Sequence, residues 1–456
     1  MRDLIFVMDK YGIAPVVTRR VLAKETKMSG DGKRCRRVPS IMKAAGERIS
    51  VQEGSPSPLE IASSWREEPG FFWLDSSLEE EGGLAIQGKN PDLILEGNAG
   101  EWPLIEKELE RRGHSSKDPS PDLGVPDGAA VGYFRFDGSF RFGFYDTLSL
   151  FASEGWIGKS PGVEREQASG AKETMRSLPV EFHPERDREE YLRMVRRARE
   201  YVAAGDIYQV CLAHRFRADF SGDPWPLYLA LREASPAPHA AYLQLGKETI
   251  LSSSPECFLK MSGSHILTRP IKGTRPRRRD LGEDEWQAFE LKTSPKEIAE
   301  LVMITDLERN DLGSVCEYGS VTATQLLHLE RYAHVFHLVS TVEGELRKEV
   351  SQVAALAACF PGGSISGAPK KRALEIIQEL EPVPRGLFSG AIGYFGYNGQ
   401  SQFNIAIRTV VIHEGRAEFH VGAGITADSI PEREWEETLH KAAGILQAAQ
   451  KMGAPH

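Results

Sequence analysis

Four glutamates stand in two pairs at helical spacing. Glu297 and Glu300 follow Lys296, and Glu434 and Glu437 precede Lys441, which lies four residues after Glu437. Residues three apart share one face of a helix. If the two faces meet, four carboxylates converge. Like charges at close range raise one another's pKa unless a cation lies between them. A hard divalent ion such as Mg²⁺ suits that setting, because it takes one or two carboxylates and completes its shell with substrate oxygens. By spacing alone, the same pairs also read as ordinary solvated helix faces.

Three further segments could do chemistry. Pro270-Ile271-Lys272-Gly273-Thr274-Arg275-Pro276 sets a lysine between an isoleucine and a glycine, in a turn bounded by prolines. Held beside a metal ion or an arginine in a partly dry site, such a lysine has a lowered pKa and becomes a neutral nucleophile. A lone lysine is otherwise a solvated charge. Arg408 interrupts the apolar strand Ile405-Ala406-Ile407-Arg408-Thr409. It needs a bidentate carboxylate partner, or an outward-facing place on a half-exposed strand. The stretch Phe360 to Lys370 carries Gly362, Gly363 and Gly367 ahead of a helix. Its backbone N–H groups and the following helix start favour an anion, although the Walker spacing is absent. Gly422-Ala423-Gly424 reads as a second glycine turn, after a strand.

The elements that must position these groups are α and β in runs. Phe71 to Ser76 and Leu84 to Gly88 form a predicted hairpin. Ala130 to Phe134 is a strand that turns at Asp137-Gly138. Tyr191, Val195, Ala198 and Val202 form the apolar stripe of a helix that Gly205 ends. Strands are expected at 207–212, 241–245, 249–252, 391–395, 404–411 and 418–421, and helices near 223–234, 284–307, 350–360, 367–380 and 431–449. Strict strand–helix alternation is missing, so the fold class is α+β with antiparallel sheets. Residues 1–40, with Lys33, Arg34, Arg36 and Arg37, read as a disordered basic extension. Residues 41–152 read as an N-terminal β-rich region, 153–180 as a linker and 181–452 as the catalytic region.

The chain has 456 residues, with 56 Lys plus Arg against 65 Asp plus Glu. The resulting net charge of −9 argues against a nucleic-acid surface. An anionic ligand must therefore meet a local cationic pocket. Five scattered cysteines (Cys35, Cys211, Cys257, Cys316 and Cys359), none in a CxxC pair, fit a reducing cytoplasm better than a disulfide framework or a zinc site. No apolar run is long enough to span a membrane, and Met1 to Met8 does not read as a signal peptide.

Taken in order, Gly205 to Val210, Ser253 to Glu256, the Lys272 loop, Lys296 to Glu300, Asp306 to Leu312, His337 to Ser340, Phe360 to Lys370, Ile407 to Thr409 and Glu434 to Lys441 resemble the chorismate-utilising enzymes. That family includes component I of anthranilate synthase and of aminodeoxychorismate synthase, and the isochorismate and salicylate synthases. The resemblance is strong over about 185–445. It implies large intertwined antiparallel β-sheets flanked by helices.

The resemblance also implies roles. Gln209 matches the amino-transferring members, since isochorismate-type enzymes place a lysine base there. Lys272 matches aminodeoxychorismate synthases, where anthranilate synthases typically carry alanine. It would be the nucleophile, with Glu256 as general acid or base. Glu300 and Glu437 would ligate Mg²⁺, supported by Glu297 and Glu434. Arg408 and the backbone at Gly422 and Gly424 would hold the enolpyruvyl carboxylate. Lys441 would add positive charge near the metal, and Gln209, Thr274, His337, Ser364 and Phe388 would line the substrate. Phe388 stands where the family usually has tyrosine, and Cys211 where asparagine is common. Ammonia would come from a separate glutamine amidotransferase subunit. The expected product is 4-amino-4-deoxychorismate, the precursor of 4-aminobenzoate in folate synthesis. The alternatives are anthranilate synthase component I and a non-catalytic scaffold, and the presence of Glu256, Glu300 and Glu437 argues against the scaffold.

Overall fold

The computed structural model describes residues 56–76, 84–113, 126, 128–152, 155–157, 180–332 and 335–452. The expected extension 1–40 lies outside the described residues, as does most of the expected linker 153–180.

All strand pairing among the described residues is antiparallel, and it builds two large sheets. The N-terminal strands are β1 (Phe72–Asp75), β2 (Ala85–Gly88), β3 (Leu93–Gly97), β4 (Ala129–Phe134), β5 (Phe140–Tyr145), β6 (Ser149–Ala152) and β7 (Gly155–Ile157). Then come β8 (His183–Pro184), β9 (Gln209–Asp219), β10 (His239–Leu245), β11 (Glu248–Ser254), β12 (Cys257–Ser262), β13 (His265–Arg269), β14 (Ile271–Pro276), β15 (Thr322–Arg331) and β16 (Val335–Glu345). The last are β17 (Gly367–Ala368), β18 (Ala391–Gly396), β19 (Gln400–Ile405), β20 (Thr409–His413) and β21 (Arg416–Ile425). One sheet runs β17-β9-β21-β20-β11-β10-β1-β2-β6-β7, with β8 on β9. The other runs β14-β16-β13-β12-β19-β18-β4-β5-β3, with β15 on β16.

The N-terminal strands finish both sheets. β1 pairs with β10, and β4 pairs with β18. Every residue of β4 is buried, which explains its continuous apolar run rather than an alternating one. At the β4–β18 seam Gly132 stands opposite Gly393. A Cβ on either would come within 2.0 Å of a carbonyl oxygen of the next strand, so the close backbone approach there requires glycine. Phe134, Phe142, Phe395 and Phe403 fill the adjoining core. Gly155–Ile157 returns on β6 as a strand, inside the stretch expected to be linker.

The helices are α1 (Pro58–Trp65), α2 (Pro103–Arg111), α3 (Arg188–Ala203), α4 (Pro224–Ala234), α5 (Leu281–Thr293), α6 (Pro295–Gly313), α7 (Gln352–Cys359), α8 (Lys370–Leu380) and α9 (Pro431–Lys451). In α3, Asp187 and Glu190 form a capping box, and Tyr191, Val195 and Ala198 are buried as the stripe requires. Gly205, at φ +82°, follows its end.

One helix expected over 284–307 is two. Pro295 cannot continue α5, because it lacks an amide donor and its ring clashes with the preceding turn. Ser294 instead caps α6, accepting from the Glu297 amide at 3.5 Å. The break places Glu297 and Glu300 in the first two turns of a new helix. Two other expectations are corrected. Gly422-Ala423-Gly424 lies inside β21 rather than in a turn. The expected strand 404–411 breaks at 406–408, because the chain leaves one sheet there and enters the other.

Candidate active site

Glu256 and Arg408 both sit where the chain crosses between the sheets. Pro255-Glu256 joins β11 of the first sheet to β12 of the second. Residues 406–408 make the return crossing from β19 to β20, with Arg408 at φ +49°. The crossings are tied together. Ile405 N donates to Glu256 O at 3.1 Å, Ser253 N donates to Arg408 O at 3.1 Å, and Ser254 Oγ donates to Ile405 O at 2.6 Å. Burial pushes the Glu256 carboxyl up from its ordinary value, against the Ser364 hydroxyl and the charge of Lys272. Glu256 Oε1 and Ser364 Oγ both lack a hydrogen-bond partner, so the two groups approach without closing a full bond. Burial pulls Arg408 down from the ordinary arginine value, against the charge of Glu256.

Lys272 is the second residue of β14, half-buried, and its Nζ donates to Ser364 O at 3.4 Å. The ladder to β16 bulges between Lys272 and Thr274, around Gly273 at φ +72°. A Cβ on Gly273 would meet Leu291 Cδ1 at 2.5 Å and Glu297 Oε2 at 3.0 Å, so the bulge brings this loop against both α5 and α6. The charge of Lys272 opposes the upward push of burial on the Glu256, Glu300 and Glu437 carboxyls, and of the three only Glu437, which also pairs with Lys441, ends below its ordinary value. Thr274 Oγ1 pairs with His337 Nδ1 at 3.0 Å. Burial, with Arg408 nearby, lowers His337 to about 4 and keeps its ring neutral at pH 7.

The two glutamate pairs do face each other, from α6 and α9. Lys296 Nζ lies 3.8 Å from Glu300 and 3.9 Å from Glu434. Lys441 pairs with Glu437 at 2.8 Å and donates to Gly422 O at 2.9 Å. Arg275 lies 3.5 Å from Glu297. Burial, with Glu297 and Glu437 as like charges, raises Glu300 against the pull of Lys272 and Lys296. Burial raises Glu434 as well. Glu437 and Lys441 keep 41% and 45% of their side-chain surface accessible, whereas Glu434 keeps 3%, so the cluster runs from the interior out to solvent. Glu300 Oε1 and Glu434 Oε2 are buried without hydrogen-bond partners. Hard, anionic, underused oxygens of this kind fit a divalent cation. Among the described residues no three metal-ligating side chains are grouped tightly enough to hold a metal alone. An ion here would thus take one or two carboxylates and lean on ligand oxygens.

The remaining predicted residues lie on β9, β21 and the segment before β18. Gln209 is buried with both amide atoms unpartnered. A Cβ on Gly424 would come within 2.5 Å of its Nε2. β20 covers β21 only up to Glu418, so β20 leaves β21 uncovered at Gly422 and Gly424. Phe388 is buried and stacks on His420 at 5.4 Å, which gives the ring a packing role that does not need a hydroxyl.

Residues 115–447 match the family described as chorismate binding enzyme. The chain belongs to that family. It is 46% identical over 293 residues to anthranilate synthase component 1 of Thermus thermophilus. It is 42% identical over 295 residues to aminodeoxychorismate synthase component 1 of Bacillus subtilis. These alignments cover 64% and 65% of this chain, and the chain spans 62% of the length of each relative. The solved anthranilate synthase component I of Streptococcus pneumoniae superposes with a TM-score of 0.69 at 28% identity, over 88% of this chain and all of that one.

Sequence reasoning passed over two groups in this chorismate binding enzyme. Arg385 is buried and forks onto Glu381, at 2.8 and 2.7 Å. It also donates to Ile365 O at 2.9 Å and Cys211 O at 2.8 Å. It thereby joins the glycine loop to β9. Glu308 is buried beneath that loop and accepts from Thr268 Oγ1 at 2.7 Å. A signal was available for Glu308: it falls at helical spacing on the face of α6 that buries Leu301, Ile304, Thr305 and Leu312.

Proposed function

We propose that the chain is an aminodeoxychorismate synthase component I that converts chorismate and ammonia to 4-amino-4-deoxychorismate. The observation that carries this reading is the inward course of Lys272, whose Nζ reaches Ser364 O beside Glu256 and the carboxylates of α6 and α9.

In this reading the Lys272 amine attacks C2 of the ring with its lone pair, and the double bond shifts as the C4 hydroxyl leaves. Glu256, which burial favours in its protonated form, gives its proton to that hydroxyl, and water departs. Ammonia then bonds to C4, the double bond shifts back, and Lys272 leaves C2 with its electron pair. Arg408 holds the enolpyruvyl carboxylate with the uncovered backbone at Gly422 and Gly424. Gln209, Thr274, neutral His337, Ser364 and Phe388 border the ring. Glu300 and Glu437, with Glu297 and Glu434 behind them, would hold a magnesium ion, which would supply positive charge toward the ring carboxylate. A glutamine amidotransferase partner supplies the ammonia, as the designation component 1 in the relatives suggests. The product feeds 4-aminobenzoate and folate synthesis. Four free, buried cysteines, Cys211, Cys257, Cys316 and Cys359, suit a reducing cytoplasm. Among the described residues no helix is long and apolar enough to cross a membrane.

The second reading is anthranilate synthase component I, favoured by the 46% identity to the Thermus thermophilus protein of that name. Incubation with chorismate, Mg²⁺ and ammonium separates the two. Aminodeoxychorismate is detected by mass, and by 4-aminobenzoate formation once a lyase is added. Fluorescent anthranilate as the main product would overturn the first reading in favour of the second.

A further inference from the structure

Lys296 occupies a position that helix electrostatics disfavour. It is the second residue of α6, after Pro295, where the positive end of the helix dipole repels a cation. A local conflict of this kind is expected where function sets the residue. Its surroundings supply the compensation. The Nζ lies 3.8 Å from Glu300 and 3.9 Å from Glu434, one carboxylate on each of the two facing helices. Both distances exceed hydrogen-bond length. Each carboxylate keeps one buried oxygen without a hydrogen bond, Oε1 of Glu300 and Oε2 of Glu434. The other two glutamates have closer or separate partners, Lys441 for Glu437 and Arg275 for Glu297. Lys296 also feels all four carboxylates. Its side chain is 51% exposed, whereas that of Glu434 is 3% exposed, so the ammonium can swing outward on its flexible stem and the carboxylate cannot.

We propose that Lys296 is a built-in competitor for the divalent-cation site, an ammonium that a metal ion must displace from between Glu300 and Glu434. This rests on the metal assignment of the proposed function and adds a residue that sets its strength. Lys296, Lys441 and Arg275 lie within ion-pair distance of the four carboxylates, and Lys272 adds positive charge against Glu300 and Glu437. A divalent ion therefore gains less here than from bare carboxylates, and its affinity is held down until Lys296 withdraws.

The test is calorimetric titration of the full chain with MgCl₂ alone, comparing wild type, Lys296→Met and Lys296→Arg. Circular dichroism confirms that each is folded. Lys296→Gln replaces the methionine variant if that one fails to fold. The neutral variant should bind Mg²⁺ about tenfold or more tightly and show a larger Mg²⁺-induced rise in Tm. Lys296→Arg, which keeps the charge, should stay near wild type. Equal or weaker binding by the neutral variant overturns the inference and leaves the proposed function standing. If neither wild type nor variant binds Mg²⁺, the inference falls together with the metal assignment. Product analysis, which does not use Lys296 variants, judges the reaction itself.

Discussion

Glu256 and Arg408 lie on opposite crossings between the same two sheets, and the crossings are hydrogen-bonded through Ile405 and Ser253. An acid and a cation are thus held at the seam by backbone that belongs to both sheets. No ion pair joins them, and among the described residues no carboxylate lies within ion-pair distance of the Arg408 guanidinium. A buried guanidinium without a carboxylate partner suits an anionic ligand. Arg408→Lys keeps the charge and loses the planar fork. It should raise KM for chorismate roughly 10–100-fold, with unfolding stability near wild type. An unchanged KM would remove Arg408 from the carboxylate site.

Lys272→Ala should abolish the covalent adduct and cut aminodeoxychorismate formation by at least ~100-fold, or shift the product to the anthranilate ring position. Intact-protein mass after an acid quench reads the adduct, and chromatography reads the products. Aminodeoxychorismate formed by the alanine variant at the wild-type rate would show that Lys272 is not the nucleophile. The variant should stay folded, since Lys272 is half-buried and its one hydrogen bond is long.

Much of this arrangement is legible in the sequence because the local signals are strong. The i, i+3 glutamate pairs, the stripe of Tyr191, Val195 and Ala198, and the Gly205 stop each act within a few turns of chain. What escaped depends on distant contacts. The stretch Asn404 to Val411 reads as one apolar strand, because a crossing between two buried sheets keeps the same residue types as a strand through a core. Gly422 and Gly424 look like a turn, and the reason they are glycine lies on β9, where Leu212 O and Gln209 leave no room for a Cβ. The Arg385–Glu381 pair matters for the carbonyls it holds at Ile365 and Cys211, residues that no spacing rule connects to it.

The Gly424 contact gives a local test of Gln209. In Gly424→Ala the new Cβ would stand 2.5 Å from Gln209 Nε2, which must turn aside. The clash is with the end of a side chain rather than with backbone, so stability should change by no more than about 1 kcal/mol. If the Gln209 amide borders the substrate, KM for chorismate should rise about tenfold while kcat changes less. A normal KM in a folded variant would mean that Gln209 faces away from the ligand.

Glu308 predicts a pH dependence of stability. Burial, with Glu256 and Asp311 as like charges and against the Thr268 hydrogen bond and Lys370, raises its pKa from 4.5 to about 8. Between those values the folded chain holds the proton and the unfolded chain does not. Folding then binds protons, and stability falls as pH rises. The loss is complete once pH passes about 8, where both states are ionised. Glu308→Gln keeps an acceptor for Thr268 and removes the titration. Its unfolding free energy should differ little from wild type near pH 4.5 and should exceed it increasingly up to pH 8, by an amount on the order of a few kcal/mol at most, with Tm rising in step. Beyond pH 8 the gap should level off. Thermal unfolding of both proteins at pH 5, 6.5 and 8 reads the trend. A difference that does not change with pH would mean that Glu308 is already ionised in the folded chain, stabilised by Lys370 beyond its pairing with Asp311.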